Sequence, residues 1–327
     1  MIEIKGYVIS RLIQAIILIF IALAFSFFLF RVMPGDPAAA IAGDPRIPAE
    51  TKRLLYKAFG LDRPLHEQFF IFLANAIQGN LGISFQYKIS VMELLLARLV
   101  NTVYLLLPAT LVSILMGLGL GILAGWFRGR SIDTLLSSIA TLLWSTPSFW
   151  GGMVMIYLFA VAIPLFPTGG LISYGVSHVD WWTELQDRLW HLFLPMITYG
   201  VIYSGQYTLV LRDTLSGVLS EDFILLAKAK GLRDSEVLTK HALKNASLPL
   251  VTLIGLNLGY LLLGSITIET VFTWPGIGRL IYEAVYYNDY PVLQGVFIFF
   301  IVVMILVMVA VDILYTYLDP RVRYGKG

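Results

Sequence analysis

The sequence predicts an all-α integral membrane protein with six spans, and three observations carry that reading. Of 327 residues, 58% are hydrophobic and only 13% charged, against roughly 25% charged in ordinary soluble domains. Six charge-free windows stand out: Leu12–Phe30, Leu99–Phe127, Thr134–Val179, Leu192–Leu211, Asn245–Ile268 and Tyr290–Val311. Each reaches or nearly reaches the roughly 20 apolar residues that a helix needs to cross a bilayer. Lysine and arginine, finally, are shared unevenly among the connecting segments, as they are between the two sides of a membrane.

The first span is placed at 10–32. Lys5 and Arg11 precede it and Ala38-Ala39-Ala40 follows, the order found around a cleaved signal. Its apolar run of 19 residues exceeds the roughly 7–15 of a signal core, so a retained helix is read. Residues 33–98 form an external loop, too long for a simple connection, which opens on Pro34-Gly35-Asp36-Pro37. Within it Phe69, Phe70, Leu73 and Ile77 recur at helical spacing and predict a short amphipathic helix, packed on the bundle or on the membrane surface.

The second span, 100–127, carries Gly117, Gly121 and Gly125 at intervals of four. Small residues on one helix face let another backbone approach closely. The third span is read as 134–163, because Pro164 and Pro167 end its helix near Ile163. Pro108 and Pro147 kink the spans that hold them, since each removes a backbone donor. The fourth span covers 191–212. The fifth, 246–269, carries Gly255 and Gly259 and ends at Glu269 on its outer edge. A turn at Pro275-Gly276-Ile277-Gly278 follows, and Leu280, Ile281, Ala284 and Val285 predict a short helix at the outer mouth. The sixth span is 292–316, with Asp312 near its inner end.

An even number of spans puts both termini on one side. With that side cytoplasmic, the inside holds Lys5, Arg11, Arg128, Arg130, Arg212, Lys228, Lys230, Arg233, Lys240, Lys244, Arg321, Arg323 and Lys326. The two short outer loops hold only Arg188 and Arg279. The net charge of +2 hides this asymmetry, and it points to a membrane rather than to nucleic acid.

Several chemistries are excluded. With no cysteine there is no disulfide and no thiolate. His66, His178, His191 and His241 never approach zinc-ligand spacing, so no metal site is read. No G-x-x-x-x-G-K loop is present, and the chain has no visible means of hydrolysing ATP. An ion-coupled secondary transporter, the alternative reading, places acids in mid-membrane, and an intramembrane protease needs a histidine beside its serine. Neither pattern occurs. A membrane scaffold without transport is the third reading; co-isolation with ATPase subunits discriminates.

The most informative stretch is Glu221–Pro249, which takes in most of the polar loop 213–248 and the proline after it. Glu221 and Asp222 precede a helix ending in Lys228 and Lys230, which suits the helix dipole. Gly231 fits a left-handed helix end. Asp234 and Ser235 are candidate caps of a second helix, and Pro249 restarts the membrane segment. The small residues Ala227, Ala229 and Gly231 form a ridge ringed by cations, suited to a groove on a soluble partner.

At this loop the chain resembles the permeases of ABC importers, in their dipeptide, oligopeptide and nickel branch and its B-type subunit. The resemblance rests on A-K-A-K-G-L (Ala227–Leu232) followed by H-A-L-K-N-A-S-L-P (His241–Pro249). Further matches are R-V-M-P-G-D-P (Arg31–Pro37), S-T-P-S-F-W (Ser145–Trp150), E-T-V-F-T-W-P-G-I-G-R-L (Glu269–Leu280), D-Y-P-V-L-Q-G (Asp289–Gly295) and L-D-P-R-V-R (Leu318–Arg323), which together cover nearly the whole chain. One departure stands out. Where the wider signature begins Glu-Ala-Ala, this chain reads Leu225-Leu226-Ala227, so the contact made by that glutamate does not carry over.

The resemblance implies a six-helix type I importer permease, pairing with a C-type homologue to form a path of about twelve helices. Two ATP-binding subunits would hold ATP and magnesium and dock on the two elbows, here through Ala227, Lys228, Ala229, Lys230, Gly231, Leu232 and His241. A solute-binding protein outside would deliver the substrate, an oligopeptide or a di- or oligosaccharide. Arg279, Glu283 and Asp289 are the candidates for docking that protein. Trp144, Trp150, Tyr203, Tyr207 and Asn257 are candidates for the translocation path.

Overall fold

The computed structural model describes residues 2–32, 63–176, 179–261 and 265–318, with Pro48, Glu50 and Arg53 described between the first two stretches. Met33–Pro37, His178, Asp319–Arg323 and the side chain of Asp312 lie outside the described residues. Among the described residues regular structure is helical, apart from one bridge between Ile83 and Ser90. The chain divides into two compact units, Met1–Leu99 with Leu280–Gly327, and Val100–Arg279.

In the first unit, α1 (Ile2–Val32) packs along α12 (Tyr290–Leu318), with Phe25 and Phe30 both against Phe297. Helix α2 (Leu65–Ile77) lies on α1, where Phe69 and Phe72 meet Phe27 at 5.4 and 5.5 Å. The helix is where the sequence predicts it, but its buried face is different. Phe70 and Ile77 are exposed. Gln68 is buried instead and bonds to the carbonyl of Arg63. The aromatic cluster of α1 takes up Phe69, which belongs to the expected stripe, and Phe72, which does not, so the helix is rotated and only Phe69 and Leu73 of the stripe are half-buried.

The turn at 80–90 is held by Asp289. Its carboxylate accepts from the Ser84 hydroxyl at 2.5 Å and from the amides of Phe85 and Gln86 at 3.1 and 3.0 Å. Nearby, Glu283 accepts from the Tyr87 hydroxyl and pairs with Arg98 at 3.5 Å. Helix α3 (Val91–Trp126), whose residues are shared between the two units, begins nine residues before the expected span.

In the second unit, α4 (Ser131–Ser145) and the long α6 (Trp181–Val218) lie side by side. Gly205 makes this approach feasible: a Cβ there would meet the Ala140 carbonyl and lie 2.9 Å from the Trp144 amide nitrogen. The Gly117, Gly121 and Gly125 face of α3 meets α6 in the same way, at Ser204 and Tyr207, then Thr208 and Leu211, then Leu215. Asp180 caps α6 by accepting from the Thr183 amide at 2.8 Å. The helix therefore starts ten residues earlier than the expected span.

Two expected spans are broken. Helix α5 (Ser148–Ala162), whose last turn widens to π geometry, meets α4 at a bend of 98°. Pro147 sits at the break. The kink expected there becomes a right-angle turn because α4 is fastened along α6, while α5 touches α6 where Gly151 meets Ile202 and is drawn on to the helix that holds Thr267 and Val271. Ser148 bonds Thr267 at 2.7 Å, and Gly152 packs on Val271. The fifth expected span divides into α9 (Leu248–Leu261) and α10 (Ile266–Val271).

Glu269, expected at an outer edge, is fully buried within the second unit. Its carboxylate accepts from the Thr102 hydroxyl and the Arg279 amide, both at 3.0 Å. Thr102 in turn accepts from the Ile277 amide, Asn101 donates to the Pro275 carbonyl, and Trp274 donates its indole N–H to the Asn101 carbonyl. The turn after α10 is thus sewn to α3. Trp274, wholly buried, stacks on Tyr104 among Leu105, Leu192 and Phe272. Helix α11 (Ile277–Tyr286) follows.

Ile9–Arg31, Val91–Trp126 and Tyr290–Val309 are long and apolar enough to cross a membrane, as is the bent pair α4–α5 taken as one span. An all-helical chain with several such helices fits a multi-pass membrane protein.

Candidate functional site

The elbow after α6 is built from two short helices. Helix α7 (Asp222–Ala229) ends at Lys230, and Gly231 takes φ +80°. The Gly231 amide donates to the Lys228 carbonyl at 2.9 Å and the Leu232 amide to the Ala227 carbonyl at 3.4 Å. That pair of bonds, with a left-handed residue between them, is a Schellman ending, and glycine adopts it without a Cβ penalty. Helix α8, 234–246, contains a widened π turn at Val237–Ala242. Neither Asp234 nor Ser235 caps it. Arg233 holds that position, its amide donates to Glu236, and Lys240 pairs with Glu236 at 3.0 Å. Lys240 and the Arg233 amide together draw the Glu236 carboxyl below its usual range.

The elbow is anchored to the end of α6. Ile224 and Ala227 of α7 and Val237 and Ala242 of α8 are buried against Leu211 and Leu215. Thr214 bonds the Ala246 carbonyl at 2.9 Å. Arg128, at the end of α3, reaches the Ser216 carbonyl at 3.2 Å, and Lys228 lies over the ring of Trp126. Arg212 grips Asp133 of α4 through two bonds of 2.8 Å. The Gly129 amide donates to the same carboxylate at 2.9 Å.

The structure redistributes the residues expected at this elbow. Ala227 is buried in the elbow's own core and is no part of an outer ridge. Lys228, Ala229, Lys230 and Gly231 are exposed, while Leu232 and His241 are half-buried. The outward face of α7 instead carries Phe223, Leu225 and Leu226. Sequence reading noted Leu225 and Leu226 only as a departure from the signature, although Asp222, Leu225, Leu226 and Ala229 follow the i, i+3, i+4, i+7 spacing of one helix face.

Of the three external candidates, two point inward. Asp289 is 1% exposed and its oxygens are taken up by the 84–86 turn. Glu283 is committed to Tyr87 and Arg98. A carboxylate spent on internal donors is not available to a partner. Arg279, half-buried, gives its amide to Glu269 and its guanidinium to the Thr273 carbonyl.

The path candidates fall partly together. Trp144 meets Tyr203 edge-on at 5.9 Å, and Tyr203 stacks on Tyr199 at 4.2 Å. Trp150 is exposed beside the break at Pro147. Tyr207 is buried, with its hydroxyl accepting from Asn257 at 2.9 Å. Tyr199 was not among the expected residues, although Tyr199, Tyr203 and Tyr207 repeat at intervals of four. Among the described residues no group of three or more His, Asp or Glu could hold a metal ion.

Comparison with known proteins agrees with this architecture. Residues 117–324 match the family described as binding-protein-dependent transport system inner membrane component, and residues 4–106 match the model of its N-terminal region. The glutathione transport system permease proteins of Escherichia coli K12 and Shigella dysenteriae are each 37% identical over 319 residues, covering 98% of this chain and 99% of theirs. That of Shigella boydii is 36% identical over the same span. The chain therefore belongs to the family of inner-membrane components of binding-protein-dependent transport systems, and it is a permease subunit of an ABC importer rather than an enzyme.

Proposed function

We propose that this chain is one half of a six-span type I permease, with both termini cytoplasmic and the elbow 213–248 receiving an ATPase subunit. The observation that carries the reading is the elbow itself. Two short helices join at a left-handed Gly231, are packed onto the end of α6, and present exposed cations and apolar side chains. A surface so exposed and so firmly backed suits the transfer of a push from a soluble partner into the helices. A second permease chain completes the path, and a solute-binding protein supplies the far side. ATP and magnesium belong to the ATPase partners, since this sequence carries no phosphate loop.

The cargo we infer is a small peptide, in preference to an oligosaccharide. Support comes from relatives named for glutathione transport over nearly their whole length. The half-exposed shelf of Trp144, Tyr199 and Tyr203 contributes aromatic faces to the path. ATP-driven approach of the ATPases draws the elbows together and opens the path outward by rigid-body motion of helices.

Gly231→Asp and Ala229→Glu test the elbow. A side chain at 231 meets nothing within 4 Å but is strained at φ +80°, whereas Ala229 is exposed on a regular helix; both variants are expected to insert, with Ala229→Glu as the unstrained control, while ATPase docking and transport fall. Full substrate-stimulated ATP hydrolysis in both would refute the coupling role.

A further inference from the structure

Helices α1 and α12 are graded in the same direction where they meet α2. On α1, Arg31 closes the apolar stretch Ile9–Arg31, and Phe27 lies buried one turn, about 5 Å, deeper. On α12, Gln294 stands near the start of the stretch Tyr290–Val309, and Ile298 lies buried one turn further in. With Phe30, and with Phe72 and Asn75 of α2, these residues line a cavity of about 160 Å³ made wholly within the first unit. The turn at 80–82 closes one side. Gly295 admits that turn, since a Cβ there would strike Val91 and lie 3.5 Å from Leu81. The cavity is thus apolar toward the middle of both spans and polar toward their ends. Among the described residues that line it, none is acidic.

The burial of Gln68 acquires a reason here. Its Oε1 accepts from the Arg31 guanidinium and its Nε2 donates to the Arg63 carbonyl at 2.7 Å. A carboxamide only 8% exposed therefore braces the guanidinium, which also lies over the Phe27 ring at 5.8 Å. Arginine carries five N–H donors and a permanent charge, so this bond to a neutral amide fixes its direction and leaves the charge uncancelled. Asn75 and Gln294, both half-buried, add further N–H donors. We propose that this cavity binds an anionic phospholipid. Its phosphodiester lies against Arg31, Asn75 and Gln294, and the carbons next to it lie against Phe27, Phe30 and Ile298.

Size, charge and position select that occupant. A cavity near 150 Å³ takes a group of about six heavy atoms, which suits a phosphodiester and its neighbouring carbons while the chains remain in the bilayer. A guanidinium fork matches phosphate oxygens in pairs, and basic pockets beside membrane helices take anionic head groups. Free phosphate would leave the aromatic wall uncovered. A short peptide brings an ammonium group as well as a carboxylate, and a cavity with a cation and no acid has no partner for that ammonium. The site stands at the ends of two membrane-length helices, where lipid is at hand. Every candidate for the translocation path lies in the second unit, so the inference does not depend on the cargo.

The test uses the full chain purified with its permease partner and stripped of lipid in detergent. Phosphatidylglycerol, phosphatidylcholine and inorganic phosphate are titrated in separately. Native mass spectrometry counts the lipid retained, and thermal unfolding follows the stabilisation that binding confers. Phosphatidylglycerol is expected to bind about fivefold or more tightly than phosphatidylcholine and to raise the melting temperature, whereas phosphate alone does neither. Arg31→Gln should abolish the preference, but it also removes the brace at Gln68. Gln294→Glu and Asn75→Asp leave that brace in place and set a carboxylate where the phosphodiester lies. Each should weaken phosphatidylglycerol about tenfold, while the lipid-free chain stays as stable, because the side-chain shape is kept and Arg31 faces the new charge. Unchanged phosphatidylglycerol affinity in both of these variants would place the lipid elsewhere and overturn the proposal. Equal retention of phosphatidylcholine, or no lipid retained by the wild type, would overturn it too. Protection by inorganic phosphate as strong as that by phosphatidylglycerol would assign the cavity to a free anion and remove the lipid.

Discussion

The guanidinium of Arg212 and the carboxylate of Asp133 meet through two parallel bonds of 2.8 Å, joining the start of α4 to the last turns of α6. The Asp133 side chain is buried and Arg212 is partly exposed. Severing a buried pair from one side leaves a charge without its partner. Asp133→Asn and Arg212→Gln are each expected to cost on the order of 1–3 kcal/mol, and the double variant less than their sum. Thermal unfolding of the detergent-purified chain measures this. Full additivity of the two losses in the double variant would contradict the pairing.

Topology is tested by labelling. Single cysteines at Gly129 and Ser235 are expected to react with an impermeant reagent only in inverted vesicles, and those at Pro48 and Tyr174 only in intact cells. Gly129 and Ser235 are exposed and Tyr174 is almost wholly so; accessibility therefore reports the side of the membrane rather than burial. Labelling of position 235 from outside would reverse the orientation.

Glu269 is the hub of the turn that follows α10. Glu269→Ala strands the Thr102 hydroxyl and the Arg279 amide and is expected to destabilise the chain by about 3 kcal/mol or more. Gly276→Ala should be comparably damaging, since its Cβ would strike the Glu269 carboxylate and Thr102. Both are read as loss of melting temperature and of membrane-inserted yield. A well-folded, fully stable Gly276→Ala chain would mean that the turn is not seated as described.

Asp289 was a candidate for partner docking, and its burial leads to a different expectation. Asp289→Asn should lower basal and binding-protein-stimulated ATPase activity in parallel, with a stability loss of roughly 2 kcal/mol, because two backbone amides and the Ser84 hydroxyl lose their carboxylate. Selective loss of stimulation at an unchanged melting temperature would restore a docking role.

The elbow could be read in the sequence because its signals are local. A left-handed glycine, dipole-matched charges and a proline restart all fall within thirty residues of one another, and Gly231 adopts the expected conformation. The burial of Glu269 and Asp289 was hidden because their donors are remote. Thr102 lies 167 positions from Glu269, and Ser84 lies 205 from Asp289. An acid beside a span reads as surface until the far segment that solvates it is placed. The same holds for the break at Pro147. Proline accounts for a lost bond, but the right angle depends on Gly205 admitting α4 and on Thr267 and Val271 receiving α5. Ala227 was assigned outward because neighbouring small residues look alike in a string, and only helix phase separates them.

The 98° break between α4 and α5 has a mechanical consequence. A straight helix is a stiff rod, and a displacement at one end arrives at the other. A rod folded through a right angle transmits no axial thrust across the corner; it converts a push along one arm into a swing of the other about the joint. Asp133 ties the first arm to α6, and Ser148 and Gly152 seat the second on α10. A shift of α6 thus carries α4 with it through Asp133, and reaches α5 both as a change of angle at Pro147 and through the seat of Gly151 on Ile202, with the exposed ring of Trp150 beside that joint.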